Sequence, residues 1–174
     1  MRVIATDISR IRGMSVQNVM VREVITVNAK DKVKSAWIKL MESGISGAPV
    51  VDDEGSLVGI VSTKDIYLSV LDRFRRAKAL RESKMGDLSD EEKDKEETRE
   101  LTIALRAVAE STVSSLLPMN QQVQHLGPLD SLERAIKLMA EKGYNRLPVL
   151  KDGKVAGIIT RQDVIMVLSG RSRR

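Results

Sequence analysis

Two short segments of this sequence place a hydroxyl, a cation and a carboxylate within one helical turn: Gly59-Ile60-Val61-Ser62-Thr63-Lys64-Asp65 and Gly157-Ile158-Ile159-Thr160-Arg161-Gln162-Asp163. In each, a glycine and two apolar residues lead into the hydroxyl, as where a buried strand runs into a helix. Glycine has no Cβ, so a ligand or another backbone can come close at the strand end. A Ser or Thr hydroxyl and the N–H groups of a helix start suit phosphate. One turn on, Asp65 and Asp163 can accept both hydrogen bonds of a ribose diol, the logic of the acidic residue in dinucleotide folds. Lys64 and Arg161 would add positive charge. The same Ser/Thr-x-x-Asp spacing is also an ordinary helix start, with the acid favouring the helix dipole. Two related repeats inherit a cap as readily as a site, so both readings stand at this point.

Other chemistries are poorly supplied. The 174 residues hold no Cys and one His, His125. Disulfides, thiolate nucleophiles and Cys-ligated zinc are thereby excluded, and neither a His pair nor a Cys-His dyad can form within one chain. An enzyme is therefore not expected, and neither a catalytic cofactor nor a metal site is. Twenty-nine Lys and Arg against 24 Asp and Glu give a net charge of +5. That excess lies in residues 1–15 and 171–174, and the rest of the chain is balanced. A broad basic groove for nucleic acid is not supported. No apolar run reaches the ~20 residues of a membrane-spanning helix, and Met1 is not followed by a signal-like stretch. The chain reads as soluble and cytoplasmic.

The two segments belong to a longer internal repeat. Val24 to Ile66 recurs from Val123 to Val164: Gly44 answers Gly143, and Pro49-Val50-Val51 answers Pro148-Val149-Leu150, both 99 residues on. Past a polar turn one residue longer in the first copy, the offset becomes 98. Each copy reads as strand, helix, strand, strand, helix. Val24 to Val27 is β-rich. Asp31 is placed to cap a helix with an apolar stripe of Val33, Ala36, Trp37, Leu40 and Met41, ended by Gly44. Two strands, Ala48 to Val51 and Leu57 to Val61, flank an Asp-Asp-Glu-Gly turn, and a second helix starts near Ser62. In the second copy Asp130 and Glu133 have capping-box spacing, and Leu132, Ala135, Ile136 and Met139 form the stripe. Met20 and Met119 stand in equivalent places before the first strands. A unit of about 55 residues buries too little surface to be comfortable alone, so the halves are expected to pair.

The division expected is an N-terminal segment 1–15, a first repeat 16–71, an insertion 72–112, a second repeat 113–170 and a basic tail 171–174. The insertion reads as a helical hairpin. Ile66, Val70, Leu71, Phe74 and Ala77 prolong the preceding helix until Gly86 interrupts. Ser89 and Glu92 form a capping box, and Leu101, Ala104, Leu105 and Val108 follow the helical period. The mixed charge from Asp87 to Glu100 reads as a solvated face.

These residues resemble a tandem pair of CBS domains, named after cystathionine β-synthase. The resemblance rests on Val24-Ile25-Thr26-Val27, on Ile45 to Asp52 and Leu57 to Asp65, and on Gly143 to Val149 and Gly157 to Asp163; the repeats cover about two thirds of the chain. It implies an α/β (α+β) fold of two β-α-β-β-α units packed as a pseudo-twofold pair, with the helical hairpin inserted between them. The implied ligand is an adenosine-bearing molecule, AMP, ADP, ATP or S-adenosylmethionine, bound in a cleft between the repeats as a regulatory ligand. It also implies a homodimer, a stand-alone sensing role and a partner protein that reads occupancy. By position, Ile45, Ser46 and Gly47 and their counterparts Tyr144, Asn145 and Arg146 would flank the adenine or reach the phosphates.

The implied ligand-binding set is thus Ile45, Ser46, Gly47, Ser62, Lys64, Asp65, Tyr144, Asn145, Arg146, Thr160, Arg161 and Asp163. Arg146, forked and fixed in charge, is the better phosphate candidate. Tyr144 could stack on a base or pack on the helix before it. His125 matches Thr26 and faces a cleft or solvent. Asp31 and Asp130 depart from the family pattern, which places Ser or Thr there; a carboxylate turned inward would repel phosphate and favour adenosine-like or singly phosphorylated ligands. Two other readings differ in kind: a CBS-fold dimerising scaffold without ligand, contacting partners through the charged hairpin or the tail Arg171, Arg173 and Arg174, and nucleic-acid contact through the basic tails.

Overall fold

The computed structural model describes residues 11–83, 89–118 and 122–170. The expected break at Gly86, residue Met119 and the tail 171–174 lie outside the described residues.

The elements follow the repeat. In chain order they are β1 (Val27–Asn28), α1 (Val33–Glu42), β2 (Gly47–Val51), β3 (Leu57–Ser62), α2 (Thr63–Glu82), α3 (Asp90–Ala109), α4 (Leu132–Lys142), β4 (Arg146–Lys151), β5 (Lys154–Thr160) and α5 (Arg161–Leu168). Short 3-10 turns, Val16–Asn18 and Val113–Leu116, stand ahead of the copies. The fold is mixed α and β with a helical insertion, as the sequence implies.

Each first strand is shorter than expected. In the first copy it is only Val27–Asn28, parallel to Val50 and Val51. In the second it shrinks to one parallel bridge, Leu126 to Val149. Only the residue that can be buried beside the central strand is held: Val27 is 1% exposed and Leu126 is fully buried.

The described residues divide into two compact units that differ from the contiguous repeats. One comprises residues 26–52, 58–83 and 89–118; the other comprises 11–25, 53–57 and 122–170. Each unit takes its leading 3-10 turn from elsewhere in the chain. In the first unit the backbone N–H groups of Val113 and Ser114 donate to the carbonyls of Asp31 and Ala29, both at 2.9 Å. In the second, Val16 and Gln17 N–H donate to Asp130 and Pro128 carbonyls at 2.8 and 3.0 Å. Val16 and Val113 are fully buried apolar anchors, each removed from water at a gain of about 1.5–3 kcal/mol.

Sheet order in the first unit is β1-β2-β3. Val27, Ala36, Val50, Val61 and Val113 pack as one cluster. A second cluster, Val33, Ile66, Val70, Ala104 and Val108 with Trp37 and Phe74 against it, joins α1 and α2 to α3. In the second unit β4 and β5 form an antiparallel pair with a bulge between Val149 and Leu150. Its core runs through Val16, Met20, Leu126, Leu132, Leu147 and Ile159.

Three local expectations are corrected. Asp31 and Asp130 do not cap α1 and α4. Lys32 stands at the start of α1 without a side-chain cap, and Ser131 caps α4 by accepting the Arg134 N–H at 3.2 Å. The two carboxylates instead accept the backbone N–H three residues back, from Asn28 at 3.1 Å and Gly127 at 2.8 Å, closing the turn before each helix. On α3 the buried face is Glu100, Ala104 and Val108, while Leu101 and Leu105 are 45% and 42% exposed. Met41, placed on the apolar stripe of α1, is 66% exposed.

Candidate functional site

Both Ser/Thr-x-x-Asp segments close as reciprocal capping boxes. Asp65 Oδ2 accepts from Ser62 N–H at 2.8 Å and from Ser62 Oγ–H at 2.6 Å, and Asp65 N–H donates to Ser62 Oγ at 3.4 Å. Thr160 and Asp163 repeat the arrangement at 2.8, 2.7 and 3.3 Å. The structure therefore realises the capping reading in full. It also leaves room for more at Asp65, which is half-buried and whose described bonds all fall on Oδ2. Oδ1 can still accept from a diol. Asp163 is 3% exposed.

The helix starts have fewer N–H groups to offer than their position suggests. In α2 the Thr63 N–H donates to the Ser46 carbonyl at 3.0 Å and the Asp65 N–H is held in the cap, which leaves Lys64 N–H without a described partner. In α5 the Arg161 N–H donates to the Asn145 carbonyl at 3.1 Å, the Asp163 N–H is capped, and Gln162 N–H is left. A phosphate at either start would meet one backbone donor, not a ring of them, and would depend on side-chain cations.

Those same carbonyl bonds assemble the candidate residues. Through Ser46 they hold Ile45, Ser46 and Gly47 beside Ser62, Lys64 and Asp65 in the first unit. Through Asn145 they hold Tyr144, Asn145 and Arg146 beside Thr160, Arg161 and Asp163 in the second. Ser46, Lys64 and Asn145 are exposed, Ile45, Tyr144 and Arg146 are half-buried, and Gly47 is buried in β2.

The two assemblies differ in their cations. Arg161 is committed to backbone: its Nε donates to the Tyr144 carbonyl at 2.9 Å and an Nη to the Met139 carbonyl at 3.3 Å, satisfying acceptors at the C-terminal end of α4. Lys64 has no such bond among the described residues. Tyr144 packs against the second unit's core. His125 is exposed, with Nδ1 3.0 Å from the Val123 carbonyl oxygen, a contact within its own loop.

The glycines of the motif are approached closely, but by side chains of their own unit. A Cβ on Gly59 would lie 2.5 Å from Leu117 Cδ1, and one on Gly157 would collide with Met20 Sδ. Leu117 and Met20 follow the two buried valines of the 3-10 turns by the same four residues, so Leu117 takes at Gly59 the place that Met20 takes at Gly157. Sequence comparison missed this because the residues between turn and first strand differ in number. The matching Ser15-Val16 and Thr112-Val113 pairs were the available signal.

Among the described residues no cluster of His, Cys, Asp or Glu could hold a metal ion, and no helix is long and apolar enough to cross a membrane.

Comparison with known proteins places this geometry. The model of the CBS domain family matches residues 16–72 and 113–170. Uncharacterized protein MJ1225 of Methanocaldococcus jannaschii is 24% identical over 153 residues, which are 88% of this chain and 42% of that protein. The chain thus spans under half of that relative. The CBS domain of a CBS domain containing membrane protein from Sphaerobacter thermophilus superposes with a TM-score of 0.67 at 25% identity, covering 91% of this chain and 90% of that one. A crystal structure of CBSX2 in complex with AMP matches at TM-score 0.61 and 26% identity, covering 88% and 94%.

Proposed function

The chain belongs to the CBS domain family, with two matched copies, and from that premise we propose that it is a regulatory module that binds an adenosine-bearing ligand at its strand-to-helix segments and relays occupancy to a partner protein. The observation that carries this reading is Asp65. A carboxylate locked in place by its own cap, with the bonds on one oxygen and the other left to accept, is preorganised for a ribose diol. The AMP complex of CBSX2 supports the ligand class.

The first unit's segment is the stronger site. It pairs a half-buried Asp65 with Lys64, whereas in the second unit Asp163 is 3% exposed and, of the two cations Arg146 and Arg161, Arg161 already holds two carbonyls. One leftover backbone N–H and one lysine suit a single phosphate better than three, so AMP is preferred over ADP and ATP. Chemistry on the ligand is not part of the proposal: binding alone shifts the population of whichever arrangement holds the ligand better.

The test is calorimetric titration with AMP, ADP, ATP and S-adenosylmethionine, paired with thermal melts. AMP is expected to bind most tightly. Asp65→Asn, which keeps an acceptor for the cap but presents a neutral amide to the diol, is expected to weaken it about tenfold or more. Absence of heat and of any melting shift with all four ligands at saturating concentration refutes the proposal.

A further inference from the structure

Between α2 and α3 of the first unit, beside the Val113–Leu116 turn, lies a cavity of ≈ 550 Å³ that plays no part in nucleotide binding as proposed. Small-molecule sites usually measure roughly 300–1,000 Å³, so the space is of ligand size. On α2 it is lined by Ser69, Arg73 and Ala77, a row at i, i+4 and i+8 that helical geometry stacks on one face about 6 Å apart. On α3 it is lined by Ile103 and Ala107, again four residues apart, and by Ala104.

The charges around this space cancel in pairs, save one. Asp72 holds Arg76 at 2.8 Å, and Glu100 holds Arg81 at 3.0 Å. Arg73 is exposed and makes no hydrogen bond or ion pair among the described residues. Ser69, one turn before it, is half-buried and its hydroxyl has no described partner either, whereas the Ser115 hydroxyl already donates to the Thr112 carbonyl at 2.6 Å. What remains for a ligand is one forked cation and one hydroxyl donor, neighbours on the same helical row. A single spare positive charge calls for a single negative one. A phosphate monoester brings about −1.5 to −2 and would set the excess against Asp72. A carboxylate brings one charge, and its two oxygens match the guanidinium fork.

The rest of the lining is apolar and poorly covered. Ile103 is 59% exposed, and the three alanines are too short to fill the gap between the helices. Covering that surface is favourable in proportion to the area taken from water. We propose that this cavity is a second binding site, for a small monocarboxylate with an apolar body. Arg73 and the Ser69 hydroxyl hold the carboxylate, and the body lies on Ile103, Ala77, Ala104 and Ala107. The inserted hairpin then carries an effector site of its own, which does not rest on the adenosine reading.

The experiment titrates phenylacetate into the full chain and follows backbone amide shifts by NMR, with phenylacetamide, acetate and phenethylamine as comparison ligands. Saturable shifts confined to α2, α3 and the neighbouring turn are expected for phenylacetate. Phenylacetamide, which lacks the charge, and acetate, which lacks the body, are each expected to bind about tenfold more weakly, and phenethylamine, of the opposite charge, not at all. Arg73→Gln, at an exposed position, is expected to weaken phenylacetate about tenfold with melting unchanged. Ala107→Leu, also exposed, is expected to abolish binding by filling the space. No saturable shift, equal binding of phenylacetamide or phenethylamine, or undiminished binding by Arg73→Gln each overturns the proposal, and none of these results bears on AMP.

Discussion

Asp163 makes the sharpest test of how the two caps work. The residue is 3% exposed and one carboxylate oxygen receives both the Thr160 N–H at 2.8 Å and the Thr160 hydroxyl at 2.7 Å. Asp163→Ala would strand both donors and remove a negative charge from the first turn of α5. Hydrogen bonds to a charged group contribute ~1.5–3 kcal/mol, and losing a capping interaction costs ~1–2 kcal/mol; the two overlap, so the expected loss is about 2–3 kcal/mol. For a chain of this length each kcal/mol moves the melting temperature by about 2–4 °C, giving a drop of roughly 5–10 °C. Asp65→Ala removes the same pattern at a half-buried place where water can replace the lost partner, so it should cost about half as much. Melts followed by circular dichroism, with urea midpoints as a check, give both values. If Asp163→Ala melts within about 1 °C of the parent, or if Asp65→Ala is the worse of the two, the burial argument behind these magnitudes is wrong.

Four further outcomes follow from the same structure. Gly59→Ala drives a methyl to 2.5 Å from Leu117 Cδ1 and should destabilise by about 1–3 kcal/mol in urea denaturation. Gly157→Ala should cost less, because the obstructing atom belongs to the flexible Met20 side chain. Arg81→Ala leaves Glu100 buried without its cation and should cost about 3–5 kcal/mol, with much of that loss recovered by adding Glu100→Leu, a double-mutant cycle readable by urea melts. On the acid side, hydrogen bonding and attraction from Lys78 lower the Glu97 pKa, so its stabilisation is present above the unfolded carboxylate range and lost as pH falls through the folded value. Acid titration of helicity should show this loss below about pH 4 in the parent and a diminished one in Glu97→Gln.

The repeat, the mixed architecture and the helical insertion were legible because they rest on features that one sequence carries openly: constant offset, apolar period, glycines and polar turns. What was not legible depended on choices between neighbouring residues with equal local claims. Asp130 and Ser131 can both cap α4; the serine does so because the aspartate closes the preceding turn onto Gly127 N–H, a bond whose reward depends on the loop and not on the helix. On α3 the apolar stripe would rotate Leu101 and Leu105 inward. Instead Arg81 on the facing helix takes up Glu100, and burying that bonded pair turns the leucines outward. Periodicity along one helix cannot carry information about a partner on another. The exchanged 3-10 turns were hidden for a related reason, since a repeat is defined along the chain and a compact unit is defined by burial.

The candidate site shows how far a motif alone can be read. Ser62 to Asp65 announced a cap and a binding segment with the same residues; the structure shows the cap and which atoms it uses, and the binding segment is the proposal. Asp65 Oδ2 is committed to Ser62, and the Thr63 and Asp65 N–H groups are committed to Ser46 and Ser62. Under the proposal a ligand would use what the cap leaves behind: Oδ1, the Lys64 N–H and the Lys64 ammonium. Such a remainder has one strong acceptor for a sugar and a thin supply of donors for phosphate. The consequence is directional. Asp65→Asn should reduce affinity for adenosine and AMP by the same factor, because the lost acceptor faces the sugar that both share. Lys64→Gln should leave adenosine unchanged and weaken AMP about threefold to tenfold, as expected for one exposed, charge-assisted contact. Calorimetry on the four combinations measures both factors. Loss of adenosine binding in Lys64→Gln would mean that the lysine positions the sugar and not the phosphate, and the assignment of the two ends of the segment would have to be reversed.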